Sequence, residues 1–154
     1  MPVESAMCFL LDGDKVLLIR NSRGNSKGKW LGLGGKLDKG ETPRQAIIRE
    51  IREESGIEAL DASYHGKTNF YMDGGKELGI VVHIFSSRNF RGEPKSTEEG
   101  ELKWFRHGEF PFDQMWDDTK YWMDLPLEGR RFTADFYYDK SNEKVVRHDI
   151  RIEP

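Results

Sequence analysis

Residues 43 to 55 carry their own start and stop signals, and these commit the middle of the chain to one helix. Thr42 suits an N-cap, Pro43 fits the first turn, and Gln45 lies three residues beyond Thr42, where a capping box reaches back. Gly56 suits the left-handed residue just past a helix end. At about 100° per residue, Ile47, Ile48 and Ile51 share one face that can be buried. Glu50, Glu53 and Glu54 stand at i, i+3 and i+4, so their carboxylates are expected to converge on the flank of that stripe. Like charges this close repel, at roughly a few tenths of a kcal/mol per adjacent pair even when solvated. A hard cation held by oxygen ligands removes the conflict, which points to Mg²⁺, with Mn²⁺ as the alternative.

Gly32-Leu33-Gly34-Gly35 lies just ahead of the helix and reads as a loop whose backbone approaches a ligand closely, because its glycines carry no side chain. The same region is locally basic. From Arg20 to Lys39, six cations (Arg20, Arg23, Lys27, Lys29, Lys36, Lys39) face one acid, Asp38, a local charge of +5. Carboxylates for a metal beside cations for phosphate oxygens are what a metal–polyphosphate site requires. The whole chain is at −3, which argues against general binding of a nucleic-acid polymer.

A length of 154 residues, with no repeat or linker, is expected to form a single domain, 1–154. Cys8 is the only cysteine and sits in the apolar run Ala6–Leu11, so it reads as a buried structural thiol in a reducing, cytoplasmic setting. Neither a signal-peptide pattern nor a stretch approaching the roughly 18–20 apolar residues of a membrane helix is visible, so no membrane partner is expected. Residues 3–11 and 15–20 read as a hairpin about Asp12-Gly13-Asp14, and 64–72 with 77–86 as a second about Asp73-Gly74-Gly75. Leu102–Arg106 reads as a strand, Asp117–Glu128 as a helix, and Arg131–Tyr138 with Lys144–Ile152 as a closing strand pair. Strands around a central helix, then a second helix, fit an α/β layered domain with a mixed sheet.

The segment 35–57 also fills every fixed position of the pattern G-x5-E-x7-R-E-U-x-E-E-x-G-U, where U is aliphatic: Gly35, Glu41, Arg49, Glu50, Ile51, Glu53, Glu54, Gly56 and Ile57. On these residues the chain resembles the Nudix hydrolases, which use divalent metal to split a diphosphate linkage. That resemblance implies the Nudix fold, an α/β/α sandwich with a central mixed β-sheet. It implies a metal shell from Glu50, Glu53, Glu54 and the Gly34 carbonyl. Gly35, Glu41, Arg49 and Gly56 take structural roles, with Glu41 paired to Arg49. A further glutamate from the loop ahead of Leu102 is implied as base or ligand. Glu99 is the best match and Glu98 the alternative in a shifted register; Glu53 or Glu99 is the implied base.

Gly28-Lys29-Trp30, Gly34-Gly35-Lys36 and the aromatic tract from Phe110 to Trp122 resemble the MutT-type branch that destroys oxidised purine nucleoside triphosphates such as 8-oxo-dGTP. Carried over, Trp116 would stack on the base and Asp118 would read its edge; from the basic stretch itself, Lys36 and Arg20 are expected to offset phosphate charge. Two positions depart from that branch. Leu31 stands where mammalian-type enzymes have an asparagine, and Asp117-Asp118-Thr119 stands where they have a proline and two aspartates. The expectation is hydrolysis of a nucleoside triphosphate to monophosphate and pyrophosphate, by a monomer or homodimer acting on a small-molecule nucleotide. Other Nudix substrates (ADP-ribose, a dinucleoside polyphosphate, a nucleotide sugar) and a non-catalytic ligand-binding Nudix domain are the rivals. His65, His83, His107 and His148 show no metal-ligand spacing.

Overall fold

Alternation along the chain decides the layers of the computed structural model, which describes residues 1–154. In order, the elements are β1 (Val3–Asp12), β2 (Lys15–Asn21), β3 (Trp30–Leu31), β4 (Leu33–Lys36), α1 (Pro43–Ser55), β5 (Glu58–Ala59), β6 (Ser63–Met72) and β7 (Glu77–Ser87). There follow β8 (Phe90–Arg91), β9 (Gly100–Arg106), a 3-10 turn at Phe112–Gln114, α2 (Thr119–Trp122), α3 (Asp124–Leu127), β10 (Phe132–Tyr138) and β11 (Val145–Ile152). Cys8, Leu10, Leu17 and Ile19 point to one face, where Ala46, Ile47 and Ile51 of α1 meet them. Phe9, Leu11, Val16 and Leu18 point to the other, against Trp122 and Met123. Period-2 strands thus serve two cores at once, and the result is helix, sheet, helix. Each isoleucine that α1 buries contributes about 1.5–3 kcal/mol, so this face rather than intrinsic propensity holds the helix.

Nine strands make one mixed sheet in the order β11-β10-β6-β7-β1-β2-β3, with β4 beside β1 and β9 beside β2. The pairs β1/β7 and β10/β6 are parallel. β1 pairs with β2 only through Leu10–Asp12 and then with β4 through Ser5–Cys8. β2 leaves β1 for β3 at Ile19 and Arg20. Residues 30–36 therefore fill the fork where the first hairpin splays. No helix is long and apolar enough to cross a membrane.

The three hairpins lie where their turn residues put them. Gly13, at φ 60°, opens a two-residue turn between Asp12 and Lys15. The α1 caps are also local. Gln45 N–H donates to Thr42 Oγ1 at 3.2 Å, Thr42 N–H donates to Gln45 Oε1 at 3.0 Å, and Gly56, at φ 77°, donates to the Arg52 carbonyl.

Two expectations need correction. Gly32–Gly35 is not a free loop, because Leu33–Lys36 is a strand laddered to β1. A Cβ on Gly34 would overlap the Ala6 carbonyl oxygen, so glycine permits this close strand approach. The helix expected over 117–128 is two short helices. Pro126 has no N–H to offer the Trp122 carbonyl four residues back, and one continuous helix cannot form across it.

Candidate active site

The acidic flank of α1 lies against β4, and three contacts lock it there. Gly34 N–H donates to Glu54 Oε1 at 2.8 Å. The Glu50 carboxylate sits on Gly35 so closely that a Cβ there would come within 2.8 Å of Glu50 Cδ. Arg49 Nη2 donates to the Lys36 carbonyl at 3.3 Å. Gly34 and Gly35 are thus glycine for packing: backbone and carboxylate occupy the space a side chain would need.

Arg49 organises the charges. Its Nε and Nη2 grip Glu41 at 2.8 and 2.9 Å, and its Nη1 donates to Glu50 at 2.8 Å and Glu53 at 3.1 Å. Glu41 in turn accepts from Asp38 N–H at 2.7 Å, closing the segment ahead of the helix. The Arg49 hydrogen bond and the Asp38 N–H hold the Glu41 carboxyl down at about 2. Because Glu50 and Glu53 both turn to Arg49, the three helix acids do not converge on one point as their spacing suggests, and no three His, Cys, Asp or Glu side chains do so elsewhere. The nearer cation wins.

Glu54 receives none of that charge. It is 6% exposed, and burial pushes its carboxyl up to about 8, with Glu50, Glu99 and Glu53 adding repulsion. Glu50 is raised as well, by burial first. Glu99, on the loop before β9, is therefore within electrostatic reach of both. Its own carboxylate takes Arg23 Nη2 at 2.8 Å, while Ser22 Oγ donates to the Glu98 and Glu99 carbonyls. A buried carboxylate left without a cation among three others is the environment a hard divalent ion relieves, and the donor set, all oxygen, matches Mg²⁺ chemistry.

The remaining expected residues divide. Lys36 is exposed at the end of β4, beside the acidic flank. Arg20 is taken by Glu101, at 2.6 Å, and lies over the Trp30 ring. Trp116 is half-buried, its indole N–H bonded to Ser26 Oγ at 2.8 Å and its ring edge-on to Tyr138. Asp118 is not an open base-reading acid. It is 3% exposed, and its oxygens accept from Trp122 Nε1 at 2.7 Å and Tyr138 Oη at 2.5 Å. Burial raises its carboxyl above the usual range. The reason is local: α2 begins at Thr119 and turns Asp118 inward onto β10, whose Tyr138 offers a hydroxyl. Nothing in the sequence pairs Asp118 with a tyrosine 20 residues on, and the Ser26 and Arg23 contacts were equally hidden.

His65 is a satisfied core histidine, between Ser86 Oγ and the Arg130 carbonyl. Burial keeps it in the neutral form and Cys8 in the thiol form.

A mixed sheet between two helical layers, with an acidic helix flank locked onto a glycine strand, defines a protein of the α/β/α sandwich class. The NUDIX domain family matches residues 1–125, and the chain belongs to that family. It is 39% identical over 144 residues to an oxidized purine nucleoside triphosphate hydrolase of Danio rerio, covering 94% of this chain and 91% of the relative. The Mus musculus protein of that description is 33% identical over 145 residues, covering 94% and 92%. Among solved structures, a MutT protein from Bacillus halodurans superposes with a TM-score of 0.84 at 26% identity, covering 99% of each chain. A MutT NUDIX hydrolase from Burkholderia pseudomallei gives a TM-score of 0.66 at 28% identity, over 72% of this chain and 88% of that one.

Proposed function

We propose that this protein hydrolyses nucleoside triphosphates to a nucleoside monophosphate and pyrophosphate, with oxidised purine nucleotides such as 8-oxo-dGTP as substrates and Mg²⁺, or Mn²⁺, as cofactor. The observation that carries the proposal is the placement of Glu54, buried against the Gly34 backbone on the same helix flank that packs Glu50 onto Gly35. Similarity to two oxidized purine nucleoside triphosphate hydrolases over 94% of the chain supports the substrate.

In this reading Glu50, Glu53, Glu54, Glu99 and the Gly34 carbonyl are the groups that hold metal. A divalent cation held there would supply charge for the phosphate oxygens and would acidify a water. The more exposed acids then differ in work from the buried ones. Glu53, whose side chain is 53% exposed, and Glu99, at 38%, are open to solvent, and either would take the proton of the water that attacks phosphorus as the phosphoanhydride bond breaks. Arg49 keeps Glu53 oriented from one side. Lys36 stands free to offset phosphate charge, whereas Arg20, spent on Glu101, acts only through its field. Trp116 offers an aromatic face for a nucleobase. A reducing, cytoplasmic setting suits the unpaired, buried Cys8.

The test is a panel: dGTP, 8-oxo-dGTP, dATP, ADP-ribose and a dinucleoside polyphosphate, each with Mg²⁺ and with EDTA, scored for pyrophosphate and monophosphate. Mg²⁺-dependent pyrophosphate release, fastest from 8-oxo-dGTP, is expected. Turnover of ADP-ribose alone, or turnover that survives EDTA, would refute the assignment.

A further inference from the structure

If a base stacks on Trp116, something must read its edge. The two side chains best placed by sequence cannot: Leu31 has no hydrogen-bonding group, and Asp118 is closed behind Tyr138 and Trp122. One polar group is aimed at the ring instead. Lys29 Nζ lies 5.0 Å from the Trp116 ring centroid.

This lysine is unlike its neighbours. Lys27 is exposed, whereas Lys29 is half-buried and takes part in none of the ion pairs. Its backbone is fixed. Asn21 N–H donates to the Lys29 carbonyl at 3.3 Å, Gly28 N–H to the Asn21 carbonyl at 2.8 Å, and Lys29 N–H to the Ser26 carbonyl at 2.9 Å. The next residue, Trp30, is buried edge-on to Phe105. Ser26, in the same loop, holds the Trp116 indole N–H. The 22–29 loop therefore both sets the rotation of the ring and brings an uncompensated ammonium to its face.

We propose that Lys29 is the base-reading residue of this site and selects purines that present a carbonyl oxygen. The inference rests on the reading that Trp116 stacks on the base. Stacking displaces the ammonium from the ring face, because a base covers an indole more strongly than a lysine ammonium does. The fixed backbone keeps the displaced Nζ at the rim of the base. An ammonium has three donors and no acceptor. Guanine offers it O6, and 8-oxoguanine offers O6 and O8. Adenine turns a donor, the N6 amino group, toward the same edge. Recognition of this kind discriminates strongly, since the wrong base leaves a desolvated cation facing a donor.

The experiment measures kcat/KM for 8-oxo-dGTP and for dATP in the parent protein, Lys29→Met and Lys29→Arg. Quenching of Trp116 fluorescence by a non-hydrolysable nucleotide analogue, with Trp116→Phe as the control that removes this signal, tests the stacking reading separately. The expected result is a ratio of 8-oxo-dGTP to dATP that falls about 10-fold or more in Lys29→Met and is largely kept in Lys29→Arg, with quenching intact in both. A ratio within twofold of the parent's, or an equal fall for both nucleotides, overturns the role of Lys29 while leaving the stacking intact. Absence of Trp116 quenching in the parent overturns the stacking reading and this inference with it.

Discussion

Replacing Glu54 by Gln should make the protein more stable and nearly inactive. Glu54 is raised to about 8 from an ordinary value of 4.5, mainly because burial withholds water from its charge. Between those two pH values the folded state holds a proton that the unfolded state has released, so stability falls as pH rises through the window. At pH 7 the window has been crossed by 2.5 units, and at 1.36 kcal/mol per unit the penalty is about 3 kcal/mol. At pH 5 it is below about 1 kcal/mol by the same arithmetic. Glutamine carries no such penalty, and its Oε1 can still accept from Gly34 N–H. Urea unfolding in EDTA should therefore show Glu54→Gln ahead of the parent by about 3 kcal/mol at pH 7, roughly 6–12 °C in Tm, and by little at pH 5. Added Mg²⁺ should close the gap by stabilising the parent alone. Turnover with Mg²⁺ should drop by at least about 1000-fold, as expected when a metal ligand is lost. A variant no more stable than the parent at both pH values, or one that keeps its turnover, would show that Glu54 is not an uncompensated buried acid held ready for a cation.

Other consequences follow from the neighbouring contacts. A carboxyl NMR titration should find Glu41 still ionised down to about pH 2, and Arg49→Gln should return it toward 4.5; its contribution to stability is present above that value and is lost as pH falls through the lower one. Asp118→Ala leaves the Tyr138 hydroxyl and the Trp122 indole N–H buried without an acceptor and should cost on the order of 2–4 kcal/mol in chemical denaturation. Tyr138→Phe, which removes one of the two donors to Asp118, should cost less than Asp118→Ala in the same assay.

What could be read beforehand was whatever is decided within a few residues. The Thr42–Gln45 box, the Gly56 cap, the Ile47/Ile51 stripe and the hairpin at Gly13 are short-range signals, and the fold places them accordingly. The layered α/β class followed from strands set around a central helix, and the resemblance of segment 35–57 to the Nudix pattern implied the sandwich. Partners distant in sequence were not legible. Arg49 diverts Glu50 and Glu53 from the convergence that helix spacing alone suggests. Tyr138 closes Asp118 from a strand 20 residues on, and Ser26 reaches Trp116 across 90 residues. The strand character of Leu33–Lys36 was equally invisible, since it comes from the splay of β1 and β2 rather than from its glycine-rich composition. Pro126, by contrast, was a visible break inside the expected helix, and its missing donor accounts for the two short pieces.

In the proposed function the α1 flank grips a divalent cation against the Gly34 backbone. A crystal soaked with Mn²⁺ and a non-hydrolysable nucleotide analogue would test it through the anomalous signal of the metal. The expected result is an ion in direct contact with Glu54 and with Glu50 or Glu53, Arg49 swung away from the acid that ligates, and a phosphate oxygen on the opposite side of the ion. An ion bound elsewhere, with Glu54 still facing only Gly34 and Arg49 still holding Glu50 and Glu53, would contradict it.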